Sequence, residues 1–333
     1  MLPLAFIPSP PYNGFHLGPL YFHFYGIMYV FAVAAAILVS RWRWQKLGGD
    51  ASLIGEIALW AFPAGLIGGR IYFLITTPSQ MPHHWWGPFA IWDGGLGIWG
   101  GVIAGTLVGI WRARKRLSKA DVIKLADCVA PALLVAQAIG RIGNYFNQEL
   151  FGKPSTLPWA LEISPAHRPP HYAHFATFQP SFLYELLFDL ALAAFLIWLH
   201  SRRRERIVAP GLFALYVAGY SGYRMFEETI RIDYSQYFFG MRLNFWVATG
   251  LMLVGFWAFA AIQRGWPPFR RLRAVPGPLS EAALPRAATP ARSPRGALAS
   301  GSHPAVAGSR VASGSRQAVA RGGKGRGRRP GRL

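Results

Sequence analysis

The stretch AQAIGRIGNYFNQELFG, residues 136–152, begins as an apolar helix and ends in polar side chains. The polar side chains at or just beyond the end of the apolar run are Arg141, Asn144, Asn147 and Glu149. Ionisable groups at membrane depth are costly unless they face a protein interior or a wet cavity. The stretch therefore predicts a membrane-spanning helix whose end supplies side chains to a polar site.

The composition of the whole chain favours an integral membrane protein. Of 333 residues, 52% are hydrophobic and only 15% are charged, whereas a soluble domain has about a quarter charged residues. The net charge of +21 is unevenly spread, since the segment from Arg270 onward has fourteen Lys and Arg residues and one acid, Glu281, or +13. The single cysteine, Cys128, excludes an internal disulfide.

Long apolar runs predict seven membrane-spanning helices, because a bilayer core needs about 20 mostly apolar residues per helix. Basic residues cluster after the first, third, fifth and seventh runs, and the positive-inside rule puts those connections in the cytoplasm. We therefore expect an all-α polytopic membrane protein with its N-terminus outside and its C-terminus cytoplasmic. The expected spans are 20–40, 52–76, 91–111, 121–140, 181–200, 209–227 and 243–263.

Two segments differ in composition from the spans. Residues 153–180 contain Pro, His and aromatic residues, which predicts a small outward-facing cap on a transmembrane catalytic domain that covers residues 1–264. Residues 265–333 are a basic mixture rich in Ala, Gly, Pro and Arg without periodicity, which predicts a disordered cytoplasmic tail.

Four glycines in the third run, Gly97, Gly101, Gly105 and Gly109, are each four residues apart. This spacing puts a smooth groove along one helix face. We expect another helix to pack closely against it.

Four arginines lie towards the ends of the spans that are predicted to face outward, where the positive-inside rule makes them scarce. They are Arg70, Arg141, Arg224 and Arg231. A guanidinium can hold a phosphate by two parallel hydrogen bonds, and an anionic phospholipid headgroup is the phosphate most available at that depth. The arginines therefore favour a phospholipid-headgroup site.

Structural ion pairs are the simpler interpretation of any single pair in this set. Arg224, Glu228 and Arg231 have the spacing i, i+4 and i+7 and share one helical stripe, while Glu227 points about 100° away. The excess of arginine on one side favours the headgroup site over isolated structural pairs.

Six sequence blocks follow one another along the chain: HFYGIMY (23–29), GGRIYF (68–73), WDGGLGIWGG (92–101), GRIGNYFNQELFG (140–152), QPSFLYE (179–185) and GYRMFEETIRID (222–233). In this order they resemble the bacterial phosphatidylglycerol–prolipoprotein diacylglyceryl transferase family. The resemblance covers about residues 17–264. Trp99 and the basic tail are similar to actinobacterial members.

The resemblance implies a transferase of the bacterial cytoplasmic membrane with its active site near the outer leaflet. Such an enzyme moves the diacylglyceryl group of phosphatidylglycerol to the thiol of the lipobox cysteine in a prolipoprotein signal peptide. The products are a thioether and glycerol phosphate, in the first step of lipoprotein maturation. Membrane lipids are the further expected partners. We expect no cofactor, metal or nucleic acid.

Residue pattern and resemblance together give two candidate sets. The candidate catalytic residues are Arg141, Arg224, Asn144, Tyr25, Glu149 and Glu228. The candidate residues for binding phosphatidylglycerol are Arg141, Asn144, Asn147, Gly152, Arg70, Arg231, Asp93 and Trp99.

The proton acceptor for the thiol stays open. Trp99 stands where many family members have a histidine, which is a usual candidate for the base. Glu149, Glu228 and His23 are the alternatives in this chain. A neighbouring arginine could instead lower the pKa of the thiol without any dedicated base.

Two other classes of protein compete with the transferase. A phospholipid or anion transporter using the same polar cavity would be expected to show inverted repeats and broken helices, but the sequence has no internal repeat and seven spans do not divide into equal halves. A binding or scaffold protein would not need Asn144 and Asn147 beside the arginines.

Overall fold

The computed structural model describes residues 6–81, 84–91, 94–203, 206–267, 269 and 279–285. Within these residues the chain forms seven long helices. They are α1 (Phe24–Lys46), α2 (Ser52–Thr76), α3 (Ile98–Arg114), α4 (Lys119–Asn147), α5 (Ser181–Arg203), α6 (Gly211–Ile230) and α7 (Leu243–Arg264). Each helix overlaps one of the seven predicted spans.

Five of these helices, α1, α2, α4, α5 and α7, are long and apolar enough to cross a membrane. The protein is therefore a mostly helical membrane protein. The helix α3 has only 17 residues, and α6 carries Arg224, Glu227 and Glu228 within its 20 residues. These two helices do not reach the length and apolarity of the other five.

The predicted start of the third span at residue 91 was wrong, because α3 begins at Ile98. Gly94 and Gly95 precede it with φ of 84° and 79°, a left-handed backbone that glycine adopts readily but a right-handed helix excludes. The residues before Gly97 therefore form a loop.

The expectation of an all-α chain was incomplete, since the described residues include three short antiparallel strand pairs. These are β1 (Gly14–Leu17) with β2 (Leu20–His23), β3 (Leu161–Glu162) with β4 (Thr177–Phe178), and β5 (Tyr237–Phe238) with β6 (Met241–Arg242). The first pair takes residues 20–23 out of the predicted first span. Gly18, with φ of 61°, forms the turn between its strands.

The glycine face of α3 packs against α2, as its spacing predicts. A Cβ atom added at Gly101 would lie 3.2 Å from the carbonyl oxygen of Gly65, and one at Gly100 would lie only 2.2 Å from that of Gly68. The two backbones can therefore approach closely because side chains are absent. The other extensive helix pairs are α1 with α4, α6 with α7, and α4 with α5.

The segment that was predicted to form a cap has its own small apolar cluster. Phe151, Leu161, Ile163 and Phe178 are buried together, and the strand pair β3–β4 holds two of them. Ile7 pairs with Leu161 in a parallel bridge. The cap thus joins the start of the chain to the loop that follows α4.

One short segment, residues 279–285, differs from the expected disordered tail. Leu279 and Ala283 are buried in a cluster with Trp44, Leu53 and Cys128. Ser280 donates a hydrogen bond of 2.5 Å from Oγ to Oδ2 of Asp121, and the carbonyl of Ala283 accepts one from the amide of Asp50. These contacts attach the segment to α1, α2 and α4. Residues 286–333 lie outside the described part of the chain.

Candidate active site

The site begins at the end of α4, where Arg141 reaches towards α5. Its Nη2 donates to Oε1 of Glu185 over 2.6 Å, and its Nη1 donates to Oδ1 of Asn144 over 3.2 Å. Glu185 has no exposed side-chain surface, whereas 19% of the Arg141 side chain is exposed. The ion pair therefore joins two helices while leaving part of the Arg141 side chain accessible.

The chain after α4 turns back so that Glu149 meets two amides of the helix end. The Nδ2 atoms of Asn144 and Asn147 donate to Oε1 of Glu149 over 2.8 and 3.2 Å. The turn is made by Gln148, whose φ is 50° and whose Oε1 accepts a 2.8 Å hydrogen bond from the amide of Ser164. The cap thereby fixes the position of the Glu149 carboxylate.

A second arginine approaches Glu185 from α6. Arg224 forms ion pairs with Glu227 and Glu228, and its Nη1 lies 3.8 Å from Oε2 of Glu185. The hydroxyl of Tyr220, one turn earlier on α6, donates to Oε1 of Glu185 over 3.0 Å. Glu185 thus lies between the arginines of α4 and α6.

The polar network continues past the end of α6. Arg242 forms a 2.6 Å ion pair with Glu228 and a 2.9 Å pair with Asp233. Arg231 donates to both carboxylate oxygens of Asp233 over 2.7 and 2.9 Å. Burial alone would raise the pKa of Asp233, but the hydrogen bonds and charges of Arg231 and Arg242 lower it below its usual value.

Two glycines bring further segments to the network. At Gly143 an added Cβ would lie 2.5 Å from the Tyr25 ring, so the missing side chain lets α1 place Tyr25 against α4. Gly152 forms an isolated antiparallel bridge with Arg231, and an added Cβ there would lie 3.2 Å from the carbonyl oxygen of Ile230. The loop after α4 is therefore paired with the end of α6.

Most of the predicted site residues come together in this network. Hydrogen bonds, ion pairs or close packing connect Tyr25, Arg141, Asn144, Asn147, Glu149, Gly152, Arg224, Glu228 and Arg231 to it. His23 is exposed and packs edge-on against Tyr21. Asp93 lies outside the described residues.

The contacts of Arg70 differ from the expectation that four arginines bind one headgroup. Its guanidinium is buried and donates four hydrogen bonds of 2.5–2.9 Å to carbonyl oxygens of Gly87, Pro88, Gly94 and Gly95. These bonds occupy four of its five N–H groups. Arg70 therefore holds the loop before α3 in place and does not offer its donors to a ligand.

Trp99 does not join the hydrogen-bonded network in the part of the chain that the structure describes. It lies in the first turn of α3 with 54% of its surface exposed. Glu227 points about 100° away from the stripe of Arg224, Glu228 and Arg231 and was not among the predicted site residues. It is buried and pairs with Arg224, three residues earlier on the helix.

Several residues of the network were not among the predicted site residues. Glu185 and Asp189 are fully buried on α5, and their i, i+4 spacing in an apolar span was the available sequence signal. Tyr220, Arg242 and Asp233 complete the network from α6 and the loop before α7. Their partners lie on other elements, so no local pattern predicted them.

The arrangement can bind an anion through the guanidinium groups of Arg141 and Arg224, whose side chains are partly exposed. In the described state both arginines are neutralised by carboxylates, so an anion must compete with Glu185, Glu227 and Glu228 for N–H donors. No group of three His, Cys, Asp or Glu side chains among the described residues could hold a metal ion.

The sequence was compared with known proteins. The family model for prolipoprotein diacylglyceryl transferase matches residues 13–261. A Bifidobacterium adolescentis phosphatidylglycerol–prolipoprotein diacylglyceryl transferase is 41% identical over 78% of this chain and 81% of its own length. A protein of the same name from Frankia alni is 43% identical over 79% of this chain and 69% of its own length. One from Streptomyces coelicolor is 42% identical over 75% of this chain and 78% of its own length. The chain belongs to the prolipoprotein diacylglyceryl transferase family.

Proposed function

We propose that this protein transfers the diacylglyceryl group of phosphatidylglycerol to the lipobox cysteine thiol of prolipoproteins. The observation that carries the proposal is the meeting of Arg141 and Arg224, from α4 and α6, at the carboxylate of Glu185. Both arginine side chains stay partly exposed, and Arg141 lies within the GRIGNYFNQELFG block. Family membership favours this reaction over lipid or anion transport.

The headgroup phosphate would bind between the two arginines. Guanidinium N–H groups match phosphate oxygens in two-point geometry, and the side chains of Arg141 and Arg224 are partly exposed. Asn144 is hydrogen-bonded to Arg141, and Tyr25 packs against Gly143, two residues further along α4. Both would orient the glycerol headgroup. Glu149, held by Asn144 and Asn147, offers an acceptor for a glycerol hydroxyl.

The bond changes follow from a thioether product. The sulfur lone pair attacks a glycerol carbon, the C–O bond to phosphate breaks, and its electron pair leaves with glycerol phosphate. Negative charge grows on the phosphate oxygens, where fixed donors stabilise the transition state by roughly 3–4 kcal/mol each. Arg141 and Arg224 are the donors in this proposal.

The proposed setting is the bacterial cytoplasmic membrane, with all seven helices spanning it and the site near the outer leaflet. Support comes from the basic residues in the last turns of α1, α3, α5 and α7, which the positive-inside rule puts in the cytoplasm. The short helices α3 and α6 pack along α2 and α7. The basic segment after residue 285 would be a cytoplasmic tail.

The test is incubation of the purified protein with phosphatidylglycerol and a lipobox peptide. We expect the peptide to gain the mass of one diacylglyceryl group, with release of glycerol phosphate. A peptide with serine in place of the lipobox cysteine is the control and should not change. Absence of any mass gain with the wild-type protein, under conditions where a relative is active, would contradict the proposal.

A further inference from the structure

The Glu185 carboxylate is bonded unevenly. Oε1 accepts from Arg141 at 2.6 Å and from Tyr220 at 3.0 Å. Oε2 is buried and accepts no hydrogen bond among the described residues, and Nη1 of Arg224 lies 3.8 Å from it. One oxygen of the carboxylate therefore has room for a proton.

Asp189 lies one helical turn from Glu185 on the same face of α5. It is fully buried, and neither of its carboxyl oxygens has a hydrogen-bond partner among the described residues. It lies within electrostatic range of Glu185 and Arg141. Two neighbouring buried carboxylates repel each other, and an uncompensated buried charge costs several kcal/mol. Asp189 therefore places a second buried acidic group beside Glu185, whose carboxylate is paired with Arg141.

The phosphate of the substrate would compete with Glu185 for its arginine partners. The Arg141 and Arg224 side chains are 19% and 17% exposed, while Glu185 lies behind them with no exposed surface. A phosphate that binds both guanidinium groups competes with Glu185 for the same N–H donors. When Arg141 turns to the phosphate, the Glu185 carboxylate loses this hydrogen-bond donor and is free to accept a hydrogen bond or a proton from another group.

We propose that Glu185, positioned beside Asp189, is the proton acceptor for the incoming thiol, and that phospholipid binding releases it from Arg141. This inference rests on the proposed function. The thiol proton moves to Glu185, directly or through one water, as sulfur bonds to the glycerol carbon and the C–O electron pair leaves on the phosphate. Glu185 then passes the proton to glycerol phosphate or water, and its ion pair with Arg141 re-forms.

The other carboxylates near the site fit this role less well. Glu149 is held by the amides of Asn144 and Asn147, which carry no charge that phosphate binding would withdraw. Glu228 keeps a 2.6 Å ion pair with Arg242 even when Arg224 turns to a phosphate. Glu227 is paired with Arg224, whereas Glu185 lies within ion-pair distance of both arginines that the phosphate would take and has the buried Asp189 one turn away.

The test compares two lipobox peptides, one with cysteine and one with selenocysteine in its place. A selenol ionises at lower pH than a thiol and needs no base near neutral pH. We expect Glu185→Gln to slow transfer to the cysteine peptide by about 10²–10⁴-fold and transfer to the selenocysteine peptide far less. With the cysteine peptide the variant rate should rise with pH up to the thiol pKa of about 8.5, unlike the wild-type rate.

Asp189→Asn keeps the test decisive should Glu185→Gln fail to fold, since Asp189 makes no hydrogen bond that folding would lose. This variant should slow transfer to the cysteine peptide and leave transfer to the selenocysteine peptide unchanged. Glu56→Gln is the matched control. Glu56 on α2 pairs with Arg112 on α3 and with Arg116 just after α3, so the substitution should leave transfer to both peptides unchanged. If Glu185→Gln slowed transfer to both peptides equally, or left the rate with the cysteine peptide unchanged, the inference would be overturned. An inactive wild-type protein would instead overturn the proposed function.

Discussion

Arg141 and Glu185 form an ion pair of 2.6 Å in which the glutamate side chain is wholly buried and the arginine side chain is partly exposed. A ligand can therefore reach the arginine side chain more readily than the glutamate. Such a site is electrically balanced before the substrate binds. Phosphate recognition then becomes an exchange of one anion for another.

Arg141→Lys should lose most of the transfer activity. An ammonium cannot reproduce the two-point geometry of a guanidinium, and removal of one transition-state donor lowers the rate about 10²–10³-fold. The measurement is peptide mass gain with time at saturating phosphatidylglycerol. Arg112→Lys, at an ion pair with Glu56, is the control. A near wild-type rate for Arg141→Lys would remove Arg141 from the mechanism.

Arg70→Lys should lower stability without changing the affinity for phosphatidylglycerol. The substitution loses the geometry of four hydrogen bonds to the loop before α3, and a charged hydrogen bond contributes roughly 1.5–3 kcal/mol. We expect a lower Tm in detergent and an unchanged KM for the phospholipid. A large rise in KM at unchanged Tm would return Arg70 to the headgroup site.

Gly143→Ala should impair activity through Tyr25. The new methyl group would lie 2.5 Å from the Tyr25 ring, and overpacking of this kind costs about 1–3 kcal/mol. The rate should fall as the ring is displaced from Arg141. Gly140→Ala is the matched control on the same helix, because an added Cβ there meets nothing within 4 Å. Equal rates for the two variants would argue against a role for the Tyr25 position.

Truncation at two points should separate the packed segment from the tail. A chain that ends at Pro285 keeps Leu279 and Ala283 in their cluster and should retain its Tm and its rate. A chain that ends at residue 278 loses the buried Leu279, which contributes about 1.5–3 kcal/mol, and the Ser280 bond to Asp121. Its Tm should fall. Identical melting of the two chains would mean that the segment does not stabilise the helices.

Acid should weaken the Arg231–Asp233–Arg242 contact. The pKa of Asp233 is lower in the folded chain than its ordinary value of about 3.9, so its stabilising effect is present above that value and is lost as the pH falls through the folded pKa. The Tm difference between wild type and Asp233→Asn should therefore be constant near neutral pH and shrink below about pH 4. A difference that grows with acid would contradict this assignment.

The sequence predicted best what depends on neighbouring residues. The bounds of α2 were predicted as 52–76, as observed, because an apolar run between polar connections defines a helix by itself. The grouping of Asn144, Asn147 and Glu149 also follows from local spacing around one helix end.

What the sequence could not provide depends on packing between distant segments. Glu185 is 44 residues from Arg141, and only the packing of α4 on α5 brings them together. Arg70 was misassigned because its partners are backbone carbonyls, which every residue carries. The strand pair β1–β2 was missed because its apolar side chains resemble the start of a span.

The close approach of α2 and α3 has a consequence for how this chain can vary. A Cβ at Gly68 would lie 2.5 Å from the carbonyl oxygen of Gly100, and one at Gly100 would lie 2.2 Å from that of Gly68. Ile71 and Ile103, only three residues further along each helix, are more than half exposed. Saturation mutagenesis should therefore show that Gly68 and Gly100, which face the other helix, do not tolerate substitution. Ile71 and Ile103, three residues further along, should tolerate it.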